Sequence, residues 1–249
     1  MLRREKDGLV YLAFKTLEAF PELRHAVFTK RGPGGRPFNL SPAKGDPAEA
    51  LANISLAARA LGIAEPSFVN QVHGDEILSL APGETSRPAV VGGKEGRDAL
   101  VGRPGLGLLI KLADCQGIIL YHPGTKTPAL IHSGWRGSVL NIAGKTVDFL
   151  RRERGIPPRE LFAGVSPSIG PCCMEFKDWR TLIPEGLRRF KREGGFMDFW
   201  AMTVFQLTEA GVPPENIELS GLCTRCDDEF FSHRKGDALR FGVMCGVLT

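Results

Sequence analysis

The sequence predicts an α/β domain, bordering on α+β, with mixed β-sheets flanked by helices in one unit spanning residues 1–249. Three observations predict it. Short apolar runs bounded by Gly and Pro crowd the middle of the chain, segments of helical spacing lie between them, and no clean strand–helix–strand period orders them. With 249 residues, 43% of them hydrophobic and 24% charged, the chain can bury a sizeable core without staples.

The stretch RGPGGRPFNLSPAKGDP (31–47) is too rich in Gly and Pro for a regular element and reads as loop. DPAEALANISLAARALGI follows with Asp46 in a cap position, Pro47 in the first turn, apolar residues at helical spacing and Gly62 near its end, so it reads as a helix. PSFVNQVHGDEILSL gives two short β-like runs around His73, and a polar loop is expected through residues 81–98. LGLLIKL, GIILY and PALIH read as buried strands, the last two joined by the turn HPGTKT. SVLNIAGKTVDFLRRERGI reads as a helix capped by Ser138 and Gly155, and LFAGVSPSIG as a strand running into a Pro/Gly turn. Residues 178–193 and 198–210 read as helices, and the C-terminal stretch as two short strands around a loop. No repeat, low-complexity segment or domain boundary interrupts this order.

Composition narrows the function classes. The formal net charge is +4, and the Lys and Arg residues are scattered apart from Arg151, Arg152 and Arg154 and then Arg188, Arg189, Lys191 and Arg192. Both clusters read as solvated helix faces, with few aromatics interleaved, so no nucleic-acid partner is expected, whereas a small anionic substrate is compatible. No apolar run approaches a membrane span, and MLRREKDGLVYLAF is too short and interrupted for a signal segment. The six cysteines therefore read as thiols, and the expected location is cytoplasmic. No protein partner is indicated.

The chemistry concentrates in three places. If GIILY and PALIH pair across their turn, His132 at the end of the second strand meets Cys115, which lies just before the first. His73 likewise stands between a hydrophobic run and a glycine, in NQVHGDE. Two imidazoles and a thiolate suit Zn²⁺, with a fourth position left for water or substrate, and they also tolerate copper. The competing interpretation is a buried small thiol with two hydrogen-bonded loop histidines.

NQVHGDEI, LADCQGIIL, IHSGWRGSVLNIAGK, SPSIGPCCMEF and CTRCDDEFFSHRKGD, in that order, resemble the laccase-domain family of multicopper-polyphenol-oxidase-like proteins. The resemblance runs from about Asn39 to the end. It implies a fold similar to the laccase-domain and cytotoxic-necrotizing-factor-like group, and a purine nucleoside phosphorylase with adenosine deaminase activity rather than an oxidase. It implies His73, Cys115 and His132 as metal ligands, the same residues the strand geometry selects. It also implies zinc-dependent phosphorolysis of adenosine, inosine and methylthioadenosine, with nucleoside and phosphate as the small-molecule partners.

Within that frame Arg136 of GWRG is a planar cation suited to phosphate. Gln71 is expected to touch substrate or orient His73, Phe38 and Asn39 to meet the purine, and Arg240 to keep a cation that the family carries nearby. Asp98 and Asp114 are candidate acceptors for a ligating imidazole. The chain departs from the family pattern at LADCQG, where a Thr before the ADC and a Leu-Pro after it are usual, at HSGW in place of HAGW, and at DALRFG in place of a Thr-Gly-Arg turn. These changes touch the nucleoside and phosphate pocket more than the triad.

Three other readings compete. A metal-free cysteine hydrolase or deamidase would pair Cys115 with a histidine, in the manner of the distantly similar deamidase toxins, and act on peptidoglycan precursors. A copper polyphenol oxidase would need more ligands than five histidines supply. A non-enzymatic module would close the triad with a fourth ligand from CTRC or His233. CTRC also has the spacing of half a zinc knuckle, with Cys172 and Cys173 as the other half beside Cys223 and Cys226. Adjacent cysteines seldom share a metal, and the expectation is against a second zinc. His25 and His122 read as plain surface residues.

Overall fold

The computed structural model describes residues 1–80 and 96–249, so most of the expected 81–98 loop lies outside the described residues. Among those described, the strands form two six-stranded sheets. The first runs in the order β1 (Leu2–Lys6), β2 (Leu9–Ala13), β3 (Leu23–Phe28), β12 (Phe241–Val247), β7 (Gly107–Leu112), β4 (Pro66–Ser67). The second runs β11 (Ile217–Leu219), β10 (Phe162–Val165), β8 (Gln116–His122), β9 (Thr127–Ser133), β6 (Ala99–Val101), β5 (Ile77–Ser79). Each sheet mixes parallel and antiparallel pairs.

The sheets pack face to face, and helices cover the outer faces. Leu108, Ile110, Val243 and Cys245 of the first sheet meet Ile119, Tyr121 and Leu130 of the second in one buried cluster. The alternate residues point outwards. Ala26, Leu109 and Met244 lie against α1 (Pro47–Leu61), while Ile118, Leu120, Ala129 and Ile131 lie against α3 (Ile142–Arg154) and α5 (Phe199–Glu209). The result is a four-layer helix–sheet–sheet–helix sandwich. Because β7, β8, β9 and β12 are buried on both faces, they read in sequence as continuous apolar runs instead of alternating ones. Gly117 lets the layers approach, since a Cβ there would lie 2.7 Å from Val243 Cγ2.

Capping explains most of the helix boundaries. Asp46 accepts from the Ala48 N–H, a contact worth about 1 kcal/mol, and Gly62 closes α1 in the left-handed region at φ 70°. Asp198 caps α5 through the Ala201 N–H. The helix expected from Ser138 divides in two. A single turn, α2 (Trp135–Val139), precedes α3, whose cap is Asn141 accepting from the Gly144 N–H. Ser138 instead bonds the Ser133 hydroxyl at 3.0 Å.

The helix expected over 178–193 does not form. Pro184 interrupts it, leaving α4 (Trp179–Leu182) and a 3₁₀ stretch over Glu185–Phe190. The hairpin β1–β2 and strand β3 were not anticipated. His25 and His122 are buried rather than on the surface: His25 Nε2 accepts from the Phe14 N–H, and His122 Nδ1 bonds Thr125 Oγ1 at 2.8 Å. Among the described residues no helix is long and apolar enough to cross a membrane.

Candidate metal centre and its cleft

The register of one hairpin delivers two of the three donors. In the β8–β9 pair Gly117 faces His132 and Gln116 faces Ser133, so Cys115 leaves β8 beside His132. The third donor arrives on the turn between β4 and β5, where His73 holds φ 62° in the left-handed region. The ligand atoms of His73, Cys115 and His132 all lie within 4.8 Å of one another. The two imidazoles meet edge to face with centroids 4.8 Å apart. His132 is buried, Cys115 half-buried and His73 exposed, so the cluster opens on the His73 side.

Asp98 builds this arrangement. It is fully buried, and its carboxylate accepts from the N–H groups of Val72, His73 and Gly74 at 3.2, 3.0 and 2.7 Å. The same carboxylate meets His132 Nδ1 at 2.6 Å, and the Asp98 carbonyl accepts from the His132 N–H at 2.7 Å. One side chain thus fixes the His73 turn and orients the His132 ring, leaving His132 Nε2 free to ligate. Burial works to raise the Asp98 pKa, but the bond and charge of His132 and the backbone donors hold it below the ordinary value. Gly134 supplies the clearance: a Cβ there would sit 2.6 Å from His73 Cδ2 and 3.2 Å from Cys115 Sγ.

Mutual charge and hydrogen bonding favour the ionised forms of Cys115 and His132 against burial. Burial opposes ionisation of Cys115, yet the His132 charge and hydrogen bonds from His132 and His73 draw the thiol down to about 6. Burial likewise opposes charge on His132, yet Cys115 and the Asp98 bond push it up to about 9. Sulfur and nitrogen donors within bonding reach of a common point, one imidazole locked by a carboxylate, fit a tetrahedral zinc with one position open.

The cluster forms part of the wall of a cleft of about 530 Å³, within the range of small-molecule sites. Trp135, Ile169, Met174 and Phe199 give it apolar surface, and Lys44, Lys111, Arg234 and Arg240 give it positive charge. Lys111 donates to the Val69 carbonyl at 2.7 Å, and burial pulls its ammonium down to about 8. A cavity of equal volume, lined by Lys6, Glu18 and Arg24, shares no residue with this cleft.

The other sequence-selected residues are placed unevenly. Gln71 lines the cleft, but its amide is spent on the backbone of Lys111, donating to the carbonyl at 2.8 Å and accepting from the N–H at 2.9 Å. Arg240 also lines it, its guanidinium donating to the carbonyls of Asp237, Ala238 and Leu239. Phe38 is 1% exposed in the core beneath α1. Asn39 is buried, bonding Ser41, Lys44 and the Arg240 N–H, and so shapes the loop that brings Lys44 to the cleft. Arg136 is exposed, 5.1 Å from the Trp135 ring, and is not among the described cleft-lining residues.

Asp114, at φ 84°, meets no imidazole: it accepts from Thr224 Oγ1 and the Arg234 N–H, both at 2.7 Å, and so ties the loop carrying His233 and Arg234 to the strand beside Cys115. The amide of Gln116, the departure in LADCQG, faces α5, accepting from Thr203 Oγ1 and donating to the Phe199 carbonyl. Sequence reasoning missed Lys44, Lys111 and Arg234. Only Arg234, inside SHRKGD, carried a motif signal.

Comparison with known proteins agrees with this fold. The profile of the multi-copper polyphenol oxidoreductase laccase family matches residues 24–249. A purine nucleoside phosphorylase from Bacteroides thetaiotaomicron is 27% identical over 257 residues, covering 95% of each chain. The purine nucleoside phosphorylase YlmD of Geobacillus stearothermophilus is 32% identical over 182 residues, covering 66% of this chain and 65% of its own. The crystal structure of the Bacillus licheniformis hypothetical protein YfiH superposes with a TM-score of 0.83 at 25% identity, over 98% of each chain. Five ordered motifs, a matching profile over most of the length and a shared fold lead to one assignment: the chain belongs to the multi-copper polyphenol oxidoreductase laccase family.

Proposed function

We propose that the chain is a zinc-dependent purine nucleoside phosphorylase that cleaves adenosine, inosine and methylthioadenosine with phosphate and also deaminates adenosine. One observation carries the reading: a three-donor cluster, open on one side, faces a cleft that combines apolar surface with four cations. The relatives from Bacteroides and Geobacillus, both named purine nucleoside phosphorylases, support it.

In phosphorolysis a phosphate oxygen bonds to C1′ of the ribose while the C1′–N9 bond breaks and its electron pair leaves with the purine. Trp135, Met174 and Phe199 offer the surface on which a purine can lie. Lys44, Arg234 and Arg240 supply positive charge for the phosphate, with Lys111, whose charge burial disfavours, as a weaker cation. On this reading purine contact passes from Phe38 to that aromatic surface, Asn39 and Gln71 act as positioning residues, and Arg136 serves the cleft rim. His73, Cys115 and His132 would hold zinc, which when bound supplies a Lewis acid with one exchangeable position. Asp98 keeps the two imidazoles aimed, and the β8–β9 register places Cys115.

Incubating metal-replete protein with adenosine and inosine, with and without phosphate, tests the reading. Phosphate-dependent release of free base, with ammonia from adenosine, is the expected result. Turnover of neither nucleoside would refute it. A second reading has a specific contact in its favour, the Cys115 thiol held against two imidazoles, which suits a metal-free hydrolase or deamidase. Metal analysis separates the two: stoichiometric zinc supports the first, whereas alkylation of Cys115 in metal-free, active protein supports the second. Copper in the same analysis would favour the oxidase reading. The binding-module reading loses one of its two expected fourth ligands, because the CTRC cysteines gather elsewhere; the other, His233, lines the cleft but is not grouped with the three donors.

A further inference from the structure

The chain places a second group of metal-ligating side chains outside the cleft. Strands β10 and β11 lie parallel, pairing Ala163 with Ile217 and Val165 with Leu219, and a bridge between Ser168 and Cys223 continues that pairing past their ends. Two tight turns then leave the sheet side by side. In one, the N–H groups of Cys173 and Met174 both donate to the Gly170 carbonyl at 2.9 Å. In the other, Cys226 and Asp227 donate to the Cys223 carbonyl at 3.0 and 2.8 Å.

Adjacent cysteines on a strand would point to opposite faces, but Cys172 and Cys173 sit in a turn, which lets both sulfurs converge. The sulfurs of Cys172, Cys173, Cys223 and Cys226 all lie within 4.8 Å of one another. Cys226 Sγ is 3.7 Å from Cys172 Sγ and 3.4 Å from Cys173 Sγ, and none of the four is in a disulfide. A tetrahedral zinc with bonds of about 2.3 Å would hold its sulfurs about 3.8 Å apart. The observed spacings require only small side-chain adjustments to reach that. The Gly170 N–H donates to Cys223 Sγ at 3.2 Å, a backbone contact that favours the thiolate a metal needs. Cys173 and Cys223 are buried while Cys172 and Cys226 are exposed, so the group is shielded on one side and reachable on the other.

We propose that Cys172, Cys173, Cys223 and Cys226 form a second, structural zinc site, closed by four thiolates and separate from the triad. It clasps the two loops that build one wall of the cleft. The first loop contributes Ser168, Ile169 and Met174, and the second continues to His233 and Arg234. Thr224, inside the second turn, bonds Asp114 next to Cys115, so the clasp and the triad share a rigid connection. The inference holds whatever reaction the cleft performs.

The test is metal content of the full chain, purified anaerobically with reductant. The wild type should carry two zinc ions and the His73→Ala/His132→Ala variant one. Replacing that remaining ion with cobalt should give the visible bands and thiolate charge-transfer absorption of tetrahedral four-sulfur coordination. Cys172→Ser/Cys226→Ser should lose the same equivalent while keeping the one at the triad. Should that variant fail to fold, the histidine variant alone still decides. A histidine variant without metal, or with iron in place of zinc, would overturn the proposal. Mass mapping that finds these cysteines joined as disulfides would do the same.

Discussion

The two donor clusters are built by opposite means. At the triad, donors come from a strand end, the residue just before its partner strand and one turn in the left-handed region, the two imidazoles both referred to a single buried carboxylate, Asp98. At the four-cysteine cluster, two turns beyond the ends of β10 and β11 each bring two sulfurs, positioned by their own backbone hydrogen bonds. Strand ends under a sheet hold few donors but hold them rigidly, and they leave one side open to a cleft. Facing turns can surround an ion completely. Openness suits reaction and closure suits stability, which are the roles proposed here for the two clusters.

Breaking the triad tests that separation most severely. His132→Ala should abolish metal at the triad together with both nucleoside activities, while one zinc stays on the cysteines, as read by metal analysis beside product assays. Gly134→Ala comes next. Its new methyl group would press on the His73 ring at 2.6 Å, and a displaced donor should cost about 100-fold in turnover with the fold intact by circular dichroism. Gly134 lies outside both cysteine turns, and the nearest atoms a Cβ there would meet belong to His73 and Cys115, so the metal of the cysteine cluster should be unchanged in this variant.

Asp98→Asn sharpens the comparison further. The amide keeps an acceptor but loses the charge that orients His132, and zinc affinity at the triad should fall by about 10- to 100-fold in a competition titration. Unchanged affinity would mean that the carboxylate only braces the turn. The smallest effect belongs to the first sheet, packed against the one whose strands carry both clusters. Burial holds the His25 pKa below its ordinary 6.5, so the imidazole stays neutral in the fold and charges more readily in the unfolded chain. Its contribution is fully present above pH 6.5 and lost as pH falls through the lower folded value. Denaturation of metal-free protein should show that slope, at most about 1.4 kcal/mol per pH unit for one proton. This acid sensitivity has to be subtracted before the clusters are compared at low pH.

What the sequence disclosed follows the same division. LGLLIKL, GIILY and PALIH were legible because both of their faces are buried, and the hairpin joining the last two was enough to bring Cys115 beside His132. LRREK was not legible as a strand, since it is an edge whose side chains are mostly exposed and charged. The stretch from Asp178 to Glu193 has helical spacing, yet Pro184 removes a donor midway and the spacing misleads. Lys44, Lys111 and Arg234 reach the cleft from three remote segments, and no local pattern marks that convergence. The four cysteines show the same limit, because adjacency suggests opposed directions unless the turn that holds them is known.

The most direct measurement follows phosphate-dependent inosine cleavage through removal and return of zinc in the full-length protein. The account predicts loss of cleavage on stripping the metal, and recovery when returned zinc reoccupies His73, Cys115 and His132 as well as the cysteine cluster. Full inosine cleavage by metal-free protein would contradict it.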